Sequence, residues 1–138
     1  MKQATVLVIA WLAPMLASAS TKFIECAITT DSGLAQVLKA TIADESEKAE
    51  VQFYATNAEC MANNSCGVEI YRKEVLPTII RLTRVLQAPG ATYTTEFDID
   101  RSSLQLTTDT NLVTSVGNSE THATGTCKVR VDETKKLL

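Results

Sequence analysis

The chain has 138 residues, 45% of them hydrophobic and 21% charged, with a formal net charge of −3 at pH 7. That length allows one ordinary domain. Mild acidity argues against nucleic acid, which demands a basic footprint, and against an anionic membrane surface, while it suits a cationic partner.

Residues 1–19 read as a cleaved signal peptide. Lys2 is a short positive n-region, Val6 to Leu16 is apolar apart from Pro14, and Ala17-Ser18-Ala19 is an A-x-A cleavage site. The apolar run falls short of the roughly 20 residues a membrane span needs. Without Lys2 the remainder carries 12 basic against 16 acidic residues, a formal charge of −4. The expected organisation is a signal peptide over 1–19, one β-rich domain over 20–131 and a fraying charged tail over 132–138. The expected destination is secreted or periplasmic, with no membrane insertion after cleavage.

In an oxidising compartment four cysteines are a disulfide framework. Of the three possible pairings, Cys60–Cys66 with Cys26–Cys127 is preferred, because the first closes a tight loop of small polar residues and the second fastens the two ends of the domain. A zinc site would need a C-x₂₋₄-C element, which the spacing lacks.

Lys22 to Thr30 alternates as a strand, with Ile24, Cys26 and Ile28 on its inward face. Asp31-Ser32-Gly33 is a turn. Leu34 to Val51 is double-valued. Leu34, Val37, Leu38, Thr41 and Ile42 form a helical stripe, yet Leu38, Ala40 and Ile42 alternate with polar residues, and Asp44 to Lys48 suits a hairpin link. The hairpin is the expectation, with a strand following over Ala49 to Ala55. Val68 to Arg72 is a short strand. Pro77 and Gly90 could frame a helix, but the β-branched density from Thr78 to Val85 favours a strand. Thr92 to Asp100 alternates most cleanly, and Ser103 to Thr108 returns. Asp109 to Glu120 reads as a polar loop around a short strand at Leu112 to Val116, and Thr121 to Val131 is the last strand.

Seven to nine short strands with turns between them define a mostly β fold, an antiparallel β-sandwich or small β-barrel stapled by two disulfides. The alternative is α+β, with a helix at about 34–48, at 77–88, or at both.

Chemistry is sparse. His122 is the only histidine, and it lies where a polar loop meets a strand, a place for a solvated side chain. No nucleophile elbow, metal-binding helix or phosphate loop is present, so no catalytic residue, metal ligand or cofactor is expected. Carbohydrate binding finds little support in six scattered aromatics after the signal. Glu96, Asp98 and Asp100 should form a ladder of carboxylates on one strand face, suited to a basic partner. Met61, Asn63 and Asn64 sit inside the Cys60–Cys66 loop, where a methionine offers an adaptable apolar contact and the amides offer donors and acceptors. These six are the candidate binding residues. The expected function is an exported, non-enzymatic protein-interaction module of inhibitor or immunity-factor type. The alternative is a carrier holding a small apolar ligand inside a barrel, and an enzyme comes third.

Overall fold

A computed structural model describes residues 21–63 and 65–130, apart from the Met61 side chain; residues 1–20, where the signal peptide is expected, Asn64 and residues 131–138 lie outside the described residues. The strands are β1 (Thr21–Thr30), β2 (Ala35–Ala43), β3 (Lys48–Ala55), β4 (Glu69–Val75), β5 (Ile79–Ala88), β6 (Ala91–Asp100), β7 (Gln105–Thr114) and β8 (Gly117–Arg130), with a single helical turn α1 (Glu59–Asn63) between β3 and β4. Each strand pairs antiparallel with the next, and β8 pairs with β1 to close a barrel. Closure removes the free edges that a sandwich would leave.

Both double-valued segments are strands. The 34–48 region is β2, a turn and the start of β3, and the 77–88 region contains β5. Alternation wins because Leu38, Ala40 and Ile42 are all buried, while Lys39 between them is exposed. Leu38 stands opposite both Cys26 and Phe53, so one side chain meets two neighbouring strands on the inner face. A helix would keep Leu38 and Ile42 on one face but turn Ala40 to the opposite one.

The expected loop at Asp109–Glu120 requires correction. β7 runs through Thr114 and β8 begins at Gly117, so these residues form a hairpin that turns at Ser115 and Val116. Its Thr, Asn, Asp and Ser residues read as loop, yet β7 is paired on both sides, with β6 and with β8, which holds the hairpin extended.

Alternating strand direction sorts the connections into two ends. The β1–β2, β5–β6 and β7–β8 turns share the upper end with the long β3–β4 connection. Pro89 and Gly90, the latter at φ 79°, make the β5–β6 turn; Pro presets the first turn position and Gly accepts the positive φ of the second.

Ile28, Leu38, Val51, Tyr71, Leu82, Phe97, Ile99 and Leu106 fill the interior at under 2% exposure. Phe97 packs edge-on against Phe53 at 5.1 Å and tilted against Tyr71 at 5.4 Å between ring centroids, geometries that the ring quadrupole favours. At the lower end the buried Lys73 ammonium donates to the carbonyls of Ala43 at 2.5 Å and Asp44 at 3.3 Å. That arrangement satisfies a charge that would otherwise be costly to bury.

The β4–β5 ladder is short, running from Arg72 opposite Thr83 to Val75 opposite Ile80. Above Thr83 the register pairs β5 with β6 alone. The wall is therefore incomplete between β4 and β5 at the upper end, where an Arg84–Glu69 ion pair bridges it.

Candidate functional site

The upper mouth of the barrel is the most distinctive polar region among the described residues. Thr108 stands opposite Phe97 on one side and Ala123 on the other, which fixes its side chain on the inner face. Thr110 and Thr121 face each other one step higher. With Thr30, Gln36, Phe53, Tyr93 and Ala123 they surround a hollow of about 130 Å³. Thr108 is only 4% exposed, and its Oγ1 is closed off from solvent with no hydrogen-bond partner among the described residues. Threonine and glutamine side chains make up most of the lining, and Phe53 and Ala123 supply apolar surface.

Just below, the Tyr71 phenol is pushed up to about 12, chiefly by burial and secondarily by the Glu69 carboxylate. Its hydrogen bond with Thr95 and the Arg84 cation work the other way. A phenol held this firmly protonated is a hydrogen-bonding group and not a base at neutral pH.

The sequence-level candidates fall into two other places. Glu96 and Asp98 do share the outer face of β6, but Arg81, directly opposite Asp98, is clasped between them. Arg81 Nε lies 2.9 Å from Asp98 Oδ1 and 3.2 Å from Glu96 Oε1, and Nη2 donates to Asp98 Oδ2 at 3.2 Å. Burial, then the neighbouring Asp98 charge, raises Glu96 above the ordinary carboxylate range. Asp100 has a different task. Its Oδ1 accepts from the Ser102 and Ser103 amides and the Ser102 hydroxyl, each at 2.9 Å. The ladder is thus two carboxylates shared by one arginine, plus a third that builds a turn.

The Cys60–Cys66 loop is closed by its disulfide and contains α1. Ser65 N donates to Cys60 O at 2.8 Å, and Gln52 Nε2 donates to Cys66 O at 2.8 Å, tying the loop to β3. Asn63 is exposed. Asn64 and the Met61 side chain lie outside the described residues. The loop belongs to the upper end, beside the mouth, whereas the carboxylates lie on the barrel's outer wall.

His122 projects from β8 and pairs with Asp109, its direct neighbour on β7. Hydrogen bonding to Asp109, then the Asp109 charge, raises its pKa above the ordinary imidazole value. Among the described residues no group of three or more His, Cys, Asp or Glu side chains is arranged to hold a metal ion.

Sequence reasoning missed the mouth. Threonines at Thr108, Thr110 and Thr121 were a usable signal, because two-residue spacing puts Thr108 and Thr110 on one face of a strand.

No protein-family model, curated protein or solved structure matches the chain. Fold and site together define a disulfide-stapled, eight-stranded up-and-down barrel with a packed interior, a hydroxyl-lined mouth and a stapled loop at the same end.

Proposed function

We propose that the chain is an exported, non-enzymatic binding module that engages another protein with the upper end of its barrel, as an inhibitor or immunity factor would. One observation carries this reading: most of the exposed large apolar side chains among the described residues gather at that end, with Ile70, Val75 and Val129 lying elsewhere. Leu34 in the β1–β2 turn, Val68 before β4, Val85 and Leu86 high on β5, Val113 on β7 and Val116 at the β7–β8 turn are all exposed, Val116 at 94%. Scattered exposed apolar residues need no explanation, but a concentration at one end marks a surface that gains from being covered. The stapled loop adds a contact element whose freedom is already restricted, which lowers the cost of binding.

The two disulfides agree with an oxidising compartment, and a secreted or periplasmic location is part of the proposal. An apolar-ligand carrier finds less support. Leu38, Leu82 and Phe97 fill the interior, and the mouth hollow of about 130 Å³ is small beside the ~300 Å³ of ordinary ligand pockets. A larger hollow of about 420 Å³ near the β2–β3 turn is of mixed lining, with Thr41, Ser46, Lys48 and Glu50 beside Ala43, Ala49 and Ile70.

The test is capture from the compartment of origin, with the wild-type barrel and a Val68→Asp, Val116→Asp variant immobilised in parallel. Both positions are exposed, so the variant should melt as the wild type does. A protein retained by the wild type and lost by the variant supports the proposal. Equal retention by both places the contact elsewhere and overturns it.

A further inference from the structure

We infer that the mouth of the barrel binds a small neutral polyhydroxyl group, between glycerol and a pentose in size. The hollow of about 130 Å³ approaches the roughly 150 Å³ at which an enclosed cavity takes up a six-membered ring. Its lining selects the chemistry. Thr110 and Thr121 carry hydroxyls, each able to donate once and accept twice, and Gln36 adds an amide with both capacities. Such a set serves a ligand that also donates and accepts, which a polyol does at every carbon.

Charge is excluded by the surroundings. None of the lining residues is ionisable near neutral pH, and at this end Arg84 and Glu69 are engaged with each other. A bare carboxylate or phosphate would lose its hydration with no cation to receive it. A wholly apolar occupant is disfavoured for a separate reason: it would cover the Thr110 and Thr121 hydroxyls and the Gln36 amide without replacing their hydrogen bonds to water. Phe53 supplies a flat apolar wall against which the C–H face of a sugar or polyol can lie.

The chemistry could reach the mouth as a free molecule or as the terminal unit of a glycan. Chemical-shift mapping on the intact mature protein separates these, using glycerol, xylose and xylobiose, with glycerol phosphate and benzene as charged and apolar controls. The expected result is saturable movement of Thr108, Thr110 and Ala123 signals with the neutral polyols and not with the controls. Xylose alone would identify a free ligand, and xylobiose at equal or higher affinity a glycan end.

Thr110→Val keeps the side-chain shape and removes a hydroxyl of the mouth, so it should fold normally and bind about tenfold more weakly, the worth of one hydrogen bond. Ala123→Val, which narrows the same hollow, should abolish the response independently of Thr110→Val. Mouth signals that stay still with every polyol, or that move equally with benzene, overturn the inference. Neither result bears on the apolar rim, whose partner is assayed separately.

Discussion

Cys26 and Cys127 face each other directly across the strand pair that closes the barrel, with their Cα atoms 4.0 Å apart. Cys127 N donates outward to Leu104 O at 2.8 Å, so towards Cys26 it occupies a non-hydrogen-bonded position, where facing residues approach most closely. The bridge therefore lies on the seam between the first and last strands.

That placement separates the two disulfides energetically. The seam bridge spans 101 residues and the loop bridge 6. Cys26→Ser with Cys127→Ser should lower unfolding stability by ~2–5 kcal/mol, since a long closed loop restricts the unfolded chain most. Cys60→Ser with Cys66→Ser should cost clearly less and act on the upper end. Urea midpoints of the two double variants provide the comparison, and non-reducing peptide mapping checks the pairing. Equal midpoints would contradict this account.

Gly125 is the second test of the seam. It lies opposite Ile28, and a Cβ there would stand 2.4 Å from the Ala27 carbonyl oxygen and 3.0 Å from Ile28 Cγ1. The first contact is with backbone and cannot be relieved by a rotamer change. Gly125→Ala should destabilise by ~1–3 kcal/mol, as overpacking does. Thr126→Ala, on the exposed outer face, should stay within about 0.5 kcal/mol of the wild type. Thermal melts of both variants decide the matter.

Asp100 predicts a pH dependence. The amide of Ser103, then the amide and hydroxyl of Ser102, stabilise its carboxylate and lower its pKa to about 2. The unfolded value is ~3.9, so the folded value is depressed. Its stabilising contribution is full above the unfolded value and disappears as pH falls through the folded one. Asp100→Asn should therefore melt below the wild type at pH 7, and the gap should close between roughly pH 4 and pH 2. A gap that persists at the acidic limit would assign the effect to shape and not to charge.

The elements that alternate with large apolar residues were legible in the sequence. Thr92 to Asp100 and the Cys26 strand were placed within a residue or two, and both disulfides followed from spacing. The region 34–48 was ambiguous because Leu38 and Ile42 belong to a helical stripe and to a strand face alike. Only the opposition of Leu38 to Cys26 and Phe53 separates the two, and that is a long-range relation. The β7–β8 hairpin was misread for an instructive reason. Its inward positions near the top are Thr108, Thr110 and Thr121, because the barrel interior is polar there. The residues that build the mouth thus removed the hydrophobic signal that would have announced the strands. On the acidic face, composition supplied the carboxylates, but the cross-strand position of Arg81 and the capping role of Asp100 depend on register and turn geometry.

The short β4–β5 ladder has a consequence for amide hydrogen exchange. Ala88 and Ala91 flank the two-residue turn, a position where a hairpin pair is hydrogen-bonded, so alternate residues of upper β5 bond to β6. Leu86 and Arg84 fall in that protected set. Val85 and Gln87 point their N–H groups the other way, towards the side on which the β4–β5 ladder has already ended at Thr83. Along one strand, therefore, protected and unprotected amides should alternate residue by residue above Thr83. Below it, where both neighbours are in place, protection should be continuous.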